Sequence, residues 1–309
     1  MTEALKAAPQ WLAYLQSQNA SAANCGTTGR RALKVSLADG MWRLSKEQRD
    51  ALAPGDEAVE AALASFPDKF FFSDLTSSVV AKQKAIIVRT DFSNDAAWAK
   101  LRATIESDEM EGWKALSTDA EDAEEDLEDG SDEEEGDDEG GEEVDETNEQ
   151  DAQTATNTAA NASSSSSEVP DYHVFIFVED ASLFNGASNL RVLRALSDVR
   201  IVRSISRPLS HSGKAPAPNR LIGKDGLREV YIGPQVWVQD TQSNTDETLR
   251  VLLGAGAMYG TASADSWRAK ASRAWELQIN MDAGMTIDFG GKDNWTTSER
   301  ARNLAEVEA

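Results

Sequence analysis

Cysteine is almost missing from this chain: Cys25 is the only one in 309 residues. An internal disulfide is therefore impossible, a cysteine-rich zinc site is excluded, and the absence of disulfides suits a reducing compartment. Histidine is nearly as scarce, with only His173 and His211. Nothing in the sequence ties either to a nucleophile and an acid, so no catalytic residue is assigned and no cofactor is expected. No apolar run approaches the ~18 residues that a membrane span needs. The opening stretch MTEALKAAPQWLAYLQSQ carries proline and polar residues where a signal peptide needs an uninterrupted apolar run. The expectation is a cytoplasmic or nuclear protein that engages no membrane.

Positive charge is the next absence. No lysine or arginine occurs between Lys114 and Arg191. Within that gap, Asp119 to Glu149 holds 20 of the 54 acidic residues. The remainder has 34 acidic against 30 basic residues, so most of the net charge of −24 sits in one strip. Across 117–168 apolar residues larger than alanine are also nearly absent. Such a segment buries too little surface to offset its ordering entropy, which predicts a disordered acidic insertion. Ser131, followed by acids, has the context of an acidophilic kinase substrate.

What is present reads as an α/β body. Residues 1–80 form a helical N-terminal region. PQWLAYLQSQ starts a helix with Pro9 in the first turn, where its missing N–H costs nothing. Gly26 and Gly29 lack the spacing of a phosphate-binding Walker loop. Ser45 and Gln48 have capping-box spacing, and Asp56 caps a helix with Ala58, Val59, Ala62, Leu63 and Phe66 on one face. Ile86 to Val88 predict a strand buried on both sides. It runs into Asp91, with Ser93 as N-cap and Asp95 in the first turn of a helix bearing Trp98, Leu101 and Ile105.

After the insertion, VFIFV (174–178) predicts a central strand and VRIVRSIS a half-exposed one. REVYIGPQVWV predicts a strand with an aromatic continuation ending near Trp237. TDETLRVLL predicts a short helix that Thr245 can cap. SWRAKASRAW sets Trp267, Ala271 and Trp275 at helical spacing, MDAGMTIDFGG adds a last strand, and 291–309 forms a solvated helical tail. The fold class expected is a single mixed-sheet α/β domain, residues 81–116 with 169–290, interrupted by the insertion. Stretching a ~6-residue link to ~52 residues costs only about 2 kcal/mol of loop-closure entropy, so the body tolerates it.

The segments IIVRTDFSNDAAWAKLRATI, YHVFIFVEDASLF and REVYIGPQVWVQDTQSNTDETLRVLL carry a resemblance. Arg89, Thr90, Asp91, Phe92, Ser93, Asp95 and Trp98 fit an R-T-D-F-S-x-D-x-A-W segment. Phe177, Val178 and Asp180 fit a second element, and Val230, Pro234 and Trp237 a third. Together these resemble a family of small, mostly bacterial α/β domains of unknown function. The resemblance implies a compact α/β fold and brings no catalytic residue with it.

Two sets of candidate site residues follow. Asp91, Asp180 and Trp237 lie near strand ends, where α/β proteins place ligand pockets; Asp91 and its neighbours serve equally as turn and capping residues. Arg200, Arg203, Arg207, Lys214, Arg220, Lys224 and Arg228 face a single acid, Asp225, over the same stretch, which predicts either an anion-binding patch or a solvated surface. No aromatic-interleaved signature accompanies them, so sequence-specific nucleic-acid recognition is not expected. The leading expectation is a non-enzymatic interaction protein. Its segment 119–149 binds basic protein partners or lies across its own basic loop. The alternative is an enzyme or small-ligand-binding domain with its pocket near Asp91 and Trp237.

Overall fold

The computed structural model describes residues 6–18, 29–56, 58–66, 84–128, 173–204, 218–255, 261–285 and 296–309. The chain divides into two compact units, residues 1–112 with 173–309, and residues 113–172. In chain order the elements of the larger unit begin with helices α1 (Pro9–Ser17), α2 (Arg30–Arg43), α3 (Lys46–Asp50) and α4 (Ala58–Ala64), then strand β1 (Ala85–Arg89). Helix α5 (Asp95–Glu128) follows; its backbone runs on through 117–128, and the rest of the acidic insertion lies outside the described residues. Next come β2 (Phe175–Val178), α6 (Ala181–Phe184), α7 (Asn189–Leu196), β3 (Asp198–Arg203), β4 (Leu227–Ile232) and β5 (Val236–Gln239). The chain ends with α8 (Ser243–Asp246), β6 (Thr248–Leu252), β7 (Ser266–Lys270), a short 3-10 turn (Ala271–Arg273), α9 (Ala274–Asp282) and α10 (Thr297–Glu308).

Strands from both sides of the insertion share one mixed sheet, ordered β2-β1-β5-β6-β7. β1 pairs in parallel with β2 and with β5, while β6 and β7 add antiparallel. Successive side chains of a strand point to opposite faces, and β1 uses both. Ile86 and Val88 join Val236 and Val238 in a core with Trp11, Met41 and Leu190 from α1, α2 and α7. Ala85 and Ile87 join Trp98, Leu101, Ile105 and Trp237 in a second core beneath α5. Burial on both faces is why this strand is a continuous apolar run rather than an alternating one. A second, two-stranded sheet of β3 and β4 packs by its apolar face into the first core, and Ala8 N–H donates to Ile201 O at 2.8 Å to fasten the N-terminal helix to it.

Several expectations need correction. β2 is an edge strand, not a central one. The REVYIGPQVWV run is broken at Gly233–Pro234, and its halves enter different sheets: β4 pairs with β3, and β5 with β1. Proline offers no N–H to continue a ladder. The helix expected in TDETLRVLL lasts only Ser243–Asp246, because Glu247 takes a left-handed φ of 56° and Thr248–Leu252 becomes a strand. In that strand Leu249 and Val251 face the second core, and Leu252 the first. Trp267 sits in β7 rather than on one helical face with Ala271 and Trp275. Helix α5 is capped by Asn94, whose Oδ1 accepts from Ala97 N–H at 3.0 Å, while Ser93 turns back to Asp91. The C-terminal helix is not a solvated tail, since it buries Glu299, Asn303 and Val307. The strand expected in MDAGMTIDFGG lies mostly outside the described residues, its first residues ending α9.

Candidate functional site

The carboxyl ends of β2, β1 and β5 are where an open parallel sheet places a ligand, most of all beside a strand flanked by partners from both directions of the chain. Here that edge is filled by the protein's own side chains. Buried Arg89 donates to Asp95 Oδ1 at 2.6 Å and to Asp91 O at 3.0 Å, and its guanidinium lies 4.5 Å from the Phe92 ring centre. Asp91 accepts from Ser93 N–H at 2.9 Å, from Ser93 Oγ at 3.0 Å and from Asn244 Nδ2 at 2.7 Å. Partial burial works against the Asp91 carboxylate, yet the Ser93 and Thr241 hydrogen bonds and the charge of Arg89 together hold its pKa below the ordinary value.

The other two pocket candidates do not join Asp91. Asp180 is the N-cap of α6 and accepts from Ser182 N–H at 2.8 Å and Leu183 N–H at 3.2 Å. The Ser182 hydroxyl and these amides hold its pKa below the ordinary value. Trp237 is fully buried in the second core, edge-on to Phe175, with its indole N–H donating to Gln278 Oε1 at 2.9 Å. An indole so enclosed presents no face to a ligand.

Beside Asp91 the edge continues into a group that sequence reasoning missed. Asp240 follows β5, accepts from Ser243 N–H at 3.1 Å, and pairs with Arg268 and, at 3.4 Å, with Arg250. Burial raises its pKa, but the Arg268 hydrogen bond and the charges of Arg250 and Arg268 outweigh this and lower it. Arg250 also pairs with Glu299 of α10 at 3.1 Å, and Glu299 accepts from Asn189 N–H at the start of α7 at 2.7 Å. These bonds run from the sheet through α10 to α7 and act as a clamp.

The basic stretch is likewise dispersed. Arg220 is buried and pairs with Asp39 at 2.8 Å and Glu229 at 3.6 Å. Lys224 pairs with Glu308 at 3.1 Å, and Arg228 is buried in β4. Arg200 is half-buried and Arg203 exposed on β3, whereas Arg207, Lys214 and His211 lie outside the described residues. Arg220 and Lys224 thus have carboxylate partners, and Arg220 and Arg228 are buried. Counting charges along the chain cannot reveal this, because Asp39 lies 181 residues from Arg220.

Asp39 and Glu229 anchor a buried polar cluster. Arg194 donates to Tyr231 Oη at 3.2 Å, to Asp39 at 3.0 Å and to Glu229 at 3.3 Å, and Tyr231 donates to Glu229. Full burial, and then the adjacent Glu229 charge, push the Tyr231 pKa well above its ordinary value. Next to this cluster lies a cavity of about 300 Å³ between α2, α6, α7 and α10. A more polar groove of about 640 Å³ runs along α5 past Ser107 and Asp108 to Arg273. Burial raises the pKa of Asp108, which accepts from Trp275 N–H at 3.3 Å.

Among the described residues, no group of three or more His, Cys, Asp or Glu side chains is placed to hold a metal ion. Nor is any helix among them long and apolar enough to cross a membrane. No protein-family model, curated protein or solved structure matches the chain.

Proposed function

We propose that this is an interaction protein: an α/β body that carries residues 119–149 as a docking strip for basic protein partners. The observation that carries the reading is the segregation of charge, 20 acids with no lysine or arginine in the strip against 34 acids and 30 bases elsewhere. A dense run of like charge attracts polycations through many weak contacts, and salt weakens them together. Within the body, Arg220 and Lys224 already have carboxylate partners, which favours an external polycation over these two side chains as the strip's occupant.

Anisotropy of a labelled oligolysine of about 20 residues tests the reading, with the full chain titrated at about 50 and 200 mM salt. The full chain binds at the lower salt and loses most of its affinity at the higher. A chain lacking 119–149, and one of full length with the strip's acids replaced by Asn and Gln, do not bind. Equal binding by either altered chain refutes the proposal. The full-length variant separates charge from chain length.

A further inference from the structure

The cavity between α2, α6, α7 and α10 plays no part in the interaction reading. Its walls are largely apolar, with Val35 of α2, Leu183 and Phe184 of α6, and Ala195 of α7. Three charged residues line it, and they differ in kind. Arg194 is already balanced by Asp39 and Glu229. Arg191 and Glu306 are not: among the described residues neither side chain is hydrogen-bonded or ion-paired, with each other or with anything else.

Arg191 is also badly placed for stability. It occupies the first turn of α7, the positive end of the helix dipole, where a cation is unfavourable. Arg191 is exposed, and no ion pair among the described residues offsets that cost. An apolar cavity bordered by one unspent cation and one unspent anion is complementary to a molecule with both charges and an apolar body.

We propose that this cavity binds a small zwitterion with an apolar side chain, of which a free apolar α-amino acid is the simplest. Its carboxylate meets the Arg191 guanidinium, which suits planar two-point recognition. Its ammonium meets Glu306, and its side chain lies against Phe184, Leu183 and Val35. A simple apolar acid would satisfy Arg191 but set like charge against Glu306, and an apolar amine would do the reverse. At about 300 Å³ the cavity is at the small end of ligand sites, which span roughly 300–1,000 Å³. That size favours a compact metabolite over a nucleotide.

Calorimetric titration and thermal shift of the full chain with L-leucine, L-methionine and L-phenylalanine test the assignment. At least one binds and raises the melting temperature. 4-Methylpentanoate, which lacks the amine, and isoamylamine, which lacks the carboxylate, bind at least ~10-fold more weakly than leucine. Arg191→Met and Glu306→Gln each weaken binding of the preferred amino acid by ~10-fold or more. Neither substitution removes a bond among the described residues, so without ligand Glu306→Gln keeps the parent's melting temperature and Arg191→Met, which removes a cation from the helix start, keeps or raises it. Should a variant fail to fold, the comparison of analogues on the unaltered chain still decides. The assignment is wrong if none of the three amino acids binds at about 10 mM. It is also wrong if a folded variant binds unchanged, or if 4-methylpentanoate or isoamylamine equals leucine.

Discussion

Removal of the Glu299 side chain is the sharpest test of how the C-terminal helix is held. Glu299 does two jobs. It accepts from Asn189 N–H at 2.7 Å, satisfying a donor at the start of α7, and it pairs with buried Arg250 at 3.1 Å. Losing a helix cap costs ~1 kcal/mol. Removing one partner of a buried ion pair costs ~3–5 kcal/mol when the other charge is left alone. Arg250 is not left alone, because Asp240 stands 3.4 Å away, so the lower part of that range applies. Glu299→Ala therefore costs about 4 kcal/mol in total, taking the cap and pair together. With a urea m-value of ~1–3 kcal/mol/M, the midpoint falls by ~1 to 4 M. Glu299→Gln retains an acceptor for the amide and costs roughly half as much, since only the charge is lost. Glu299→Ala combined with Arg250→Met removes both charges, and its cost is well below the sum of the single effects. A cost under ~1 kcal/mol for Glu299→Ala, or strict additivity in the double variant, refutes the clamp.

Other predictions rest on separate features. A Cβ on Gly254 would lie 2.1 Å from Tyr231 O, backbone against backbone, whereas one on Gly186 meets nothing within 4 Å. Gly254→Ala therefore unfolds the chain or costs several kcal/mol, while Gly186→Ala, at φ 65°, costs only about 1–2 kcal/mol of left-handed strain by chemical denaturation. Trp237→Phe leaves Gln278 buried without its donor and costs about 1–3 kcal/mol on top of the repacking; an unchanged melting temperature would show that the bond is idle. Two carboxylates give opposite pH signatures. Asp240, with its folded pKa lowered, contributes stability that is present above its unfolded value near ~4 and is lost as pH falls through the folded value, so Asp240→Asn flattens the acid limb of stability against pH. Asp108, with its folded pKa raised by burial, lowers stability as pH rises past ~4, so Asp108→Asn stabilises the protein at neutral pH and loses that advantage toward pH ~3.

Local chemistry was readable wherever a residue's partner lies a few positions away. The capping box at Ser45 and Gln48 is present with both bonds, at 3.2 and 2.8 Å. Pro9 opens α1, Asp56 accepts from Ala58 N–H, and the continuous run at Ile86–Val88 is a strand buried on both faces. The mixed-sheet α/β class followed from these elements. The resemblance to small α/β domains rested on the same local segments, and it could assign no role to any residue.

The errors came where a neighbour distant in sequence decides the outcome. Thr248–Leu252 has side chains that satisfy either period, and it became a strand because the open edge of β5 needs backbone partners. The SWRAK segment became a strand for the same reason, against β6. Trp237 read as a strand-end aromatic and proved to be a core residue, because α5 and α9 close over that face of the sheet. By itself the amino-acid order determined the caps, the doubly buried strand and the confinement of negative charge to one strip, since each depends on composition or on contacts within a turn. Tertiary structure alone decided that Arg220 and Lys224 are neutralised, that Glu299 clamps two helices, and that Arg191 and Glu306 line one cavity. The reason is physical: charge is balanced through space, and the partners that balance it come from segments the chain order keeps far apart.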